Sequence, residues 1–158
     1  MSKDGAPQTQ QEAELALGPL TTSLGFLVRM SQIEIFGLFY ETLGRLGLKP
    51  GEFSVLWVVH LNPGVRQGAV AETLRIKPAH MTKLVRAFEL DGMIARHIPD
   101  TDRRGIELRL TEKGEGFVRD YAEAFFSYTQ NEANRLTPAE ARQLISLLQK
   151  FTRLGGQT

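Results

Sequence analysis

At 158 residues, with 42% hydrophobic and 23% charged residues, the chain has the composition of a soluble globular protein long enough to bury a core. It contains no cysteine, which excludes disulfides, thiolate nucleophiles, zinc knuckles and thiol redox sensing together. The formal net charge is only +1, yet residues 66–113 hold ten Lys and Arg against seven Asp and Glu while the remainder is acidic on balance, so a surface facing a polyanion is expected in the middle third.

No apolar run approaches the roughly 20 residues of a membrane span. The N-terminus lacks the basic start, apolar block and small-residue cleavage site of a secretory signal, so a cytoplasmic location and no membrane partner are expected. Residues 1–18, polar and Gln-rich with Gly5 and Pro7, read as a mobile tail. From Leu20 to Leu46 the pattern is helical and apolar on two sides, one carrying Phe26, Met30, Ile33, Gly37 and Tyr40, the other Leu24, Leu27, Ile35, Leu38 and Phe39. Such a helix needs two neighbours. Pro50 opens a second helix over 50–61 with Phe53, Leu56, Trp57 and His60 on one face, and the stretch NPGV at 62–65 ends it.

Two short helices follow, over 66–74 and 77–91, joined by a few residues around Ile76. In the second, Met81, Leu84, Val85 and Phe88 recur at i, i+3, i+4 and i+7, which buries one face and turns Ala79, Thr82, Lys83 and Arg86 outward. Gly92 stops it. Ile94–Ile98 and Ile106–Leu110 are strand-like and flank a charged turn, PDTDRRG, so they are predicted to pair as a hairpin. Thr111 caps a helix over 112–135 striped by Phe117, Tyr121, Ala124, Phe125 and Tyr128. The capping box TPAE at 137–140 starts a last helix with Leu144, Leu147, Leu148, Phe151 and Leu154.

Two short helices and a tight turn followed by a hairpin make a winged helix-turn-helix. Val70, Ala71, Leu74, Ile76, Met81 and Leu84 occupy the positions such a unit must bury, and the small Ala71 allows a close crossing. Arg75 stands where the turn often has glycine, so a looser turn is expected. The fold class is therefore mainly α (α+β): a winged helix-turn-helix over 49–111, with helices at 19–48 and 112–154 forming a dimerisation region. Those terminal helices carry roughly as much apolar surface again as a winged helix needs, which points to a twofold homodimer; an intramolecular core is the alternative.

In this order, HMTKLVRAFELDGMIAR at 80–96, then Asp102-x-Arg104, then Leu110-Thr111-Glu112-Lys113-Gly114, the chain resembles the MarR family of bacterial transcriptional regulators over residues 20–154. The resemblance implies that Arg104 enters the DNA minor groove, that Asp102 holds the wing through an ion pair, and that Arg103 lies nearer a phosphate. Without that context the same turn would read as a solvated cluster of salt bridges. The helix over 77–91 is expected in the major groove, with Lys83 and Arg86 suited to phosphate or guanine, Thr82 and His80 to polar contact, and Pro78 and Ala79 to a thymine methyl. Arg66 and Gln67 could bind phosphate at the preceding helix.

The family also implies a cleft for a small, often aromatic effector. Phe26, Met30, Phe36, Tyr40, Trp57 and His60 are candidates to line it, with Arg29 or Arg45 available for a carboxylate or phosphate, although residue by residue the aromatics read more readily as core. Nothing points to an enzyme, a cofactor or a metal: His60, His80 and His97 have no ligand spacing, and there is no Gly-rich phosphate loop or G-x-S-x-G. The expected protein is a DNA-binding repressor released by a small organic ligand, the alternative being a protein-recruiting winged helix or an activator without an effector.

Overall fold

The computed structural model describes residues 15–47, 49–98, 105–132 and 135–154. The helices are α1 (Leu24–Leu43), α2 (Pro50–Leu61), α3 (Gln67–Thr73), α4 (Pro78–Leu90), α5 (Glu112–Glu132) and α6 (Pro138–Thr152); the strands are β1 (Val65–Arg66), β2 (Ile94–His97) and β3 (Glu107–Leu110). The predicted helix over 20–46 is one α-helix with a 3-10 turn on either side, Gly18–Thr22 before it and Gly44–Leu46 after it. Ser23, in extended conformation, separates the first turn from α1. Proline stands in the first turn of α2, α4 and α6, where its missing N–H costs no hydrogen bond.

The hairpin of β2 and β3 forms with Ile94 opposite Leu110 and His97 opposite Glu107. A third strand was not expected. Val65 and Arg66 pair antiparallel with Leu108 and Glu107, giving the order β1-β3-β2. Arg66 therefore precedes α3 as its N-cap in extended conformation instead of lying in the helix. A two-residue strand has no periodicity to betray it; the exposed edge of β3 creates it.

The chain divides into two compact units, up to Glu34 and from Ile35 onward. In the first, Leu17, Leu20, Leu24, Leu27, Val28, Met30 and Ile33 are exposed and Phe26 is half-buried. In the second, one core gathers Phe39 and Leu43 of α1, Phe53, Val55, Leu56 and Val59 of α2, Val70 and Ala71 of α3, the α4 face, Ile94, Leu108 and Val118. Its aromatic layer is stacked: Phe53 lies 4.3 Å from Phe125 at 22°, and Phe39 meets Phe125 edge-on at 6.2 Å.

One polar junction joins the end of α4 to the start of α5. The α4 helix ends in a Schellman motif, with Gly92 left-handed at φ 69°, Gly92 N–H donating to Glu89 O and Met93 N–H donating to Phe88 O at 2.8 Å. Thr111 then donates its hydroxyl to Gly92 O at 2.6 Å and its N–H to Met93 O at 3.0 Å. The same hydroxyl oxygen accepts from Gly114 N–H at 3.1 Å, which caps α5 as expected. A Cβ on Gly114 would sit 2.2 Å from Met93 O, so only glycine fits this approach.

The α6 helix starts on the predicted capping box. Glu140 Oε2 accepts from Thr137 N–H at 2.8 Å and from its hydroxyl at 2.7 Å. Those two bonds, the backbone one first, hold the Glu140 carboxyl below its ordinary value. Beyond the cap, Leu144, Ile145, Leu147, Leu148, Phe151 and Leu154 are all exposed, Phe151 by 69%. Among the described residues this stripe is not part of the core that the second unit buries.

Gly114→Ala should lower the unfolding free energy by about 1–3 kcal/mol through the backbone clash. Gly116→Ala, whose Cβ would meet only the Arg119 side chain at 3.6 Å, should raise it by about 0.5–1 kcal/mol. Urea denaturation of both variants with unchanged m-value checks the pair.

Candidate nucleic-acid interface

The α3–α4 pair is built from the inside out. Val70, Ala71, Met81, Leu84, Val85 and Phe88 are buried and Leu74 and Ile76 half-buried, so the apolar period predicted for this unit is the one the fold uses. What remains outside on α4 is Pro78, Ala79, His80, Thr82, Lys83, Arg86, Ala87 and Leu90, all exposed. No acidic residue stands in its first turn, so the partial positive charge of the helix N-terminus is not neutralised from within.

The turn between the helices is tighter than expected. Arg75 adopts φ 54°, Arg75 N–H donates to Glu72 O at 3.1 Å, and Ile76 N–H donates to Ala71 O at 2.8 Å. That is the same Schellman closure as at Gly92, with arginine in the glycine position at a cost of about 1–2 kcal/mol. The absence of glycine does not loosen the turn, because the hydrogen bonds that define it are made by the backbone.

Gln67 donates from Nε2 to Thr82 Oγ1 at 3.3 Å, and the Thr82 hydroxyl donates to Pro78 O at 3.0 Å. Thr82 thus spends its only proton inside the protein and faces outward as an acceptor. The backbone N–H of Gln67 donates to Ile106 O at 2.8 Å, so a phosphate at this helix start could use the Gln67 and Arg66 side chains but not that amide. A groove of about 230 Å³ between the two helices is lined by Gln67, Ala71, Ile76, Pro78, Met81 and Thr82. Arg66 is exposed beside it.

The strand leading into the wing is tied to α4 by a salt bridge from Arg96 to Glu89. Asp102, Arg103 and Arg104, the predicted wing-tip residues, lie outside the described residues. Lys77, the first residue of the helix predicted over 77–91, is a basic residue not singled out from the sequence. It is exposed at the N-cap of α4 and extends the basic edge.

The effector candidates are distributed over both units. Phe26 is half-buried and Arg29 and Met30 are exposed in the first; Phe36 and Tyr40 are exposed and Trp57 and His60 half-buried in the second. Trp57 is brought against His60 with ring centroids 5.5 Å apart and against Phe126 edge-on at 4.7 Å. His60 Nδ1 donates to Glu115 Oε2 at 2.6 Å, joining α2 to α5. Among the described residues no group of His, Asp and Glu is arranged to hold a metal ion, and no helix is long and apolar enough to cross a membrane.

A model of the MarR family matches residues 46–105, a stretch that contains α2, β1, α3, α4 and β2. Over nearly its whole length the chain is also 33% identical to a protein described as a transcriptional regulator for the hcr operon in Thauera aromatica, across 155 residues, 98% of this chain and 93% of that one. The chain belongs to the MarR family. It is a DNA-binding transcriptional regulator, and the α3–α4 pair with the β2–β3 hairpin is its winged helix-turn-helix. The HTH-type transcriptional repressor MdtR of Bacillus subtilis is 27% identical over 105 residues, 66% of this chain and 65% of that one. Among solved structures, the transcriptional repressor CouR bound to a 23-mer DNA duplex superposes with a TM-score of 0.82 at 28% identity, covering 89% of this chain and 99% of that one.

Proposed function

We propose that the protein is a cytoplasmic repressor that binds a pseudo-palindromic operator as a homodimer and leaves it when a small aromatic ligand binds. One observation carries the reading: α4 buries Met81, Leu84, Val85 and Phe88 while presenting Thr82, Lys83 and Arg86 outward. The exposed stripe of α6 supports the dimer, since an apolar face of that length needs a partner. In this reading α4 enters the major groove, Lys83 reaches a base edge, Thr82 accepts from a base amino group, and His80, Pro78 and Ala79 line the approach. Arg86, Arg66 and Gln67 contact phosphates. Asp102, Arg103 and Arg104 form the wing tip, with Arg104 in the minor groove.

The effector site is assigned to Phe26, Met30, Phe36, Tyr40, Trp57 and His60, with Arg29 for an acidic group. An aromatic acid or its coenzyme A thioester suits stacking surfaces beside an arginine. To lower operator affinity a hundredfold, the ligand must bind the DNA-incompetent arrangement better by about 3 kcal/mol.

Sedimentation should give twice the chain mass, and footprints should show two half-sites about one helical turn apart. A monomer binding an asymmetric site at full affinity would refute the dimer.

Lys83→Ala should weaken specific binding more than non-specific binding. Arg103→Ala should weaken both alike and reduce the salt dependence by about one counterion. Salt titrations on operator and random duplexes read both effects, and equal losses for Lys83→Ala would place it on a phosphate.

Aromatic acids and their thioesters, titrated against a preformed operator complex, should release the wild type and spare Arg29→Ala. Peroxide, at doses that leave methionine intact, should release neither, because the chain has no cysteine. An operator complex that withstands every such ligand would favour an effector-independent regulator.

A further inference from the structure

One long-range hydrogen bond has a left-handed residue at its donor end and another directly after its acceptor. Arg75, in the turn between α3 and α4, and Arg153, just after α6, have left-handed backbones, at φ 54° and 60°, and are the two non-glycine residues with positive φ among the described residues. Each closes a helix in the manner glycine usually does: beyond α6, Arg153 N–H donates to Lys150 O and Leu154 N–H donates to Gln149 O at 3.1 Å. The Arg75 guanidinium donates from Nη2 to Thr152 O at 2.8 Å, across 77 positions of sequence.

The acceptor is the last carbonyl of α6, at the negative end of the helix dipole and with no partner inside its own helix. A guanidinium is the side chain best suited to it, being always charged and long enough to arrive from another element. Glycine at 75 would make the turn without strain but could not reach. The turn therefore carries a strained residue whose side chain does something glycine cannot.

We propose that Arg75 is a positioning residue for DNA recognition, tying the helix-turn-helix to the C-terminal end of α6 so that the orientation of α4 follows the last helix. The proposal rests on the reading of α6 as the dimer-forming helix. The tether then gives the dimer a direct hold on the turn that aims the recognition helix, alongside the covalent path through α5.

Arg75→Gly suits the left-handed turn, so the variant should fold, dimerise and melt no lower than the wild type. Its affinity for a duplex that the wild type selects from a random library should fall about tenfold, with the salt dependence unchanged. Arg153→Pro attacks the other end, since proline forbids φ 60° and turns the preceding carbonyl away from its helical direction. It should cost a similar factor, Arg153→Gly should cost nothing, and the double variant Arg75→Gly with Arg153→Pro should be no worse than either single one. Unchanged affinity in Arg75→Gly, additive losses in the double variant, or a salt dependence reduced by one counterion, which would make Arg75 a phosphate contact, would each overturn the tether. Sedimentation of the same samples separates the two readings: a monomeric wild type refutes the dimer and the route through α6, whereas a dimeric wild type with additive losses refutes the tether alone.

Discussion

The carbonyls of Gly92 and Met93 are where the parts of this protein are fastened together. Both are held by Thr111, and Gly114 passes so close to Met93 O that no side chain could stand there. Because this point is at once the end of the recognition helix, the root of the wing and the start of α5, the three leave it in fixed directions. A hydroxyl that donates to one carbonyl and accepts from one helix N–H has no freedom left to slide. The motif Leu110-Thr111-Glu112-Lys113-Gly114 is thus a structural lock whose Thr and Gly have separate, nameable duties.

Behind that lock, the core explains how a thin DNA-reading unit remains stiff. The α3 and α4 helices alone could bury only one face each. They are backed by α2, whose Phe53 stacks on Phe125 of α5, and by Leu108 of β3, so the reading helix rests on a continuous apolar floor. Polar ties are placed at edges, among them Arg96 to Glu89 beside β2, His60 to Glu115 between α2 and α5, and Gln67 to Thr82 across the helix pair. Burial supplies stability while these bonds set angles, a division expected when exposed polar contacts contribute little net energy.

The two ends of the chain follow the opposite rule. α6 is well capped and strongly amphipathic, yet its apolar side is exposed among the described residues. In the proposed homodimer this face is the surface that a second copy covers. The bond between Arg75 and Thr152 links the end of that helix to the turn before the reading helix.

Sequence alone settled the elements whose signal is local. The apolar period of α4, the prolines that open α2, α4 and α6, the Gly92 stop, the Thr111 cap and the 137–140 capping box all depend on neighbours within about four residues, and each is found where the pattern places it. The order of motifs from His80 to Gly114 was enough to indicate the family and the outward residues of the reading helix. What only the tertiary structure decided is whatever depends on a distant partner. β1 exists because β3 offers an edge. The turn at Arg75 is tight because backbone hydrogen bonds close it, and its guanidinium is committed to a carbonyl in another helix, while the Gln67 amide is committed to Ile106. None of these leaves a mark in residue spacing, because a hydrogen bond between residues far apart in sequence is set by where the core brings the chain, and that is decided by packing.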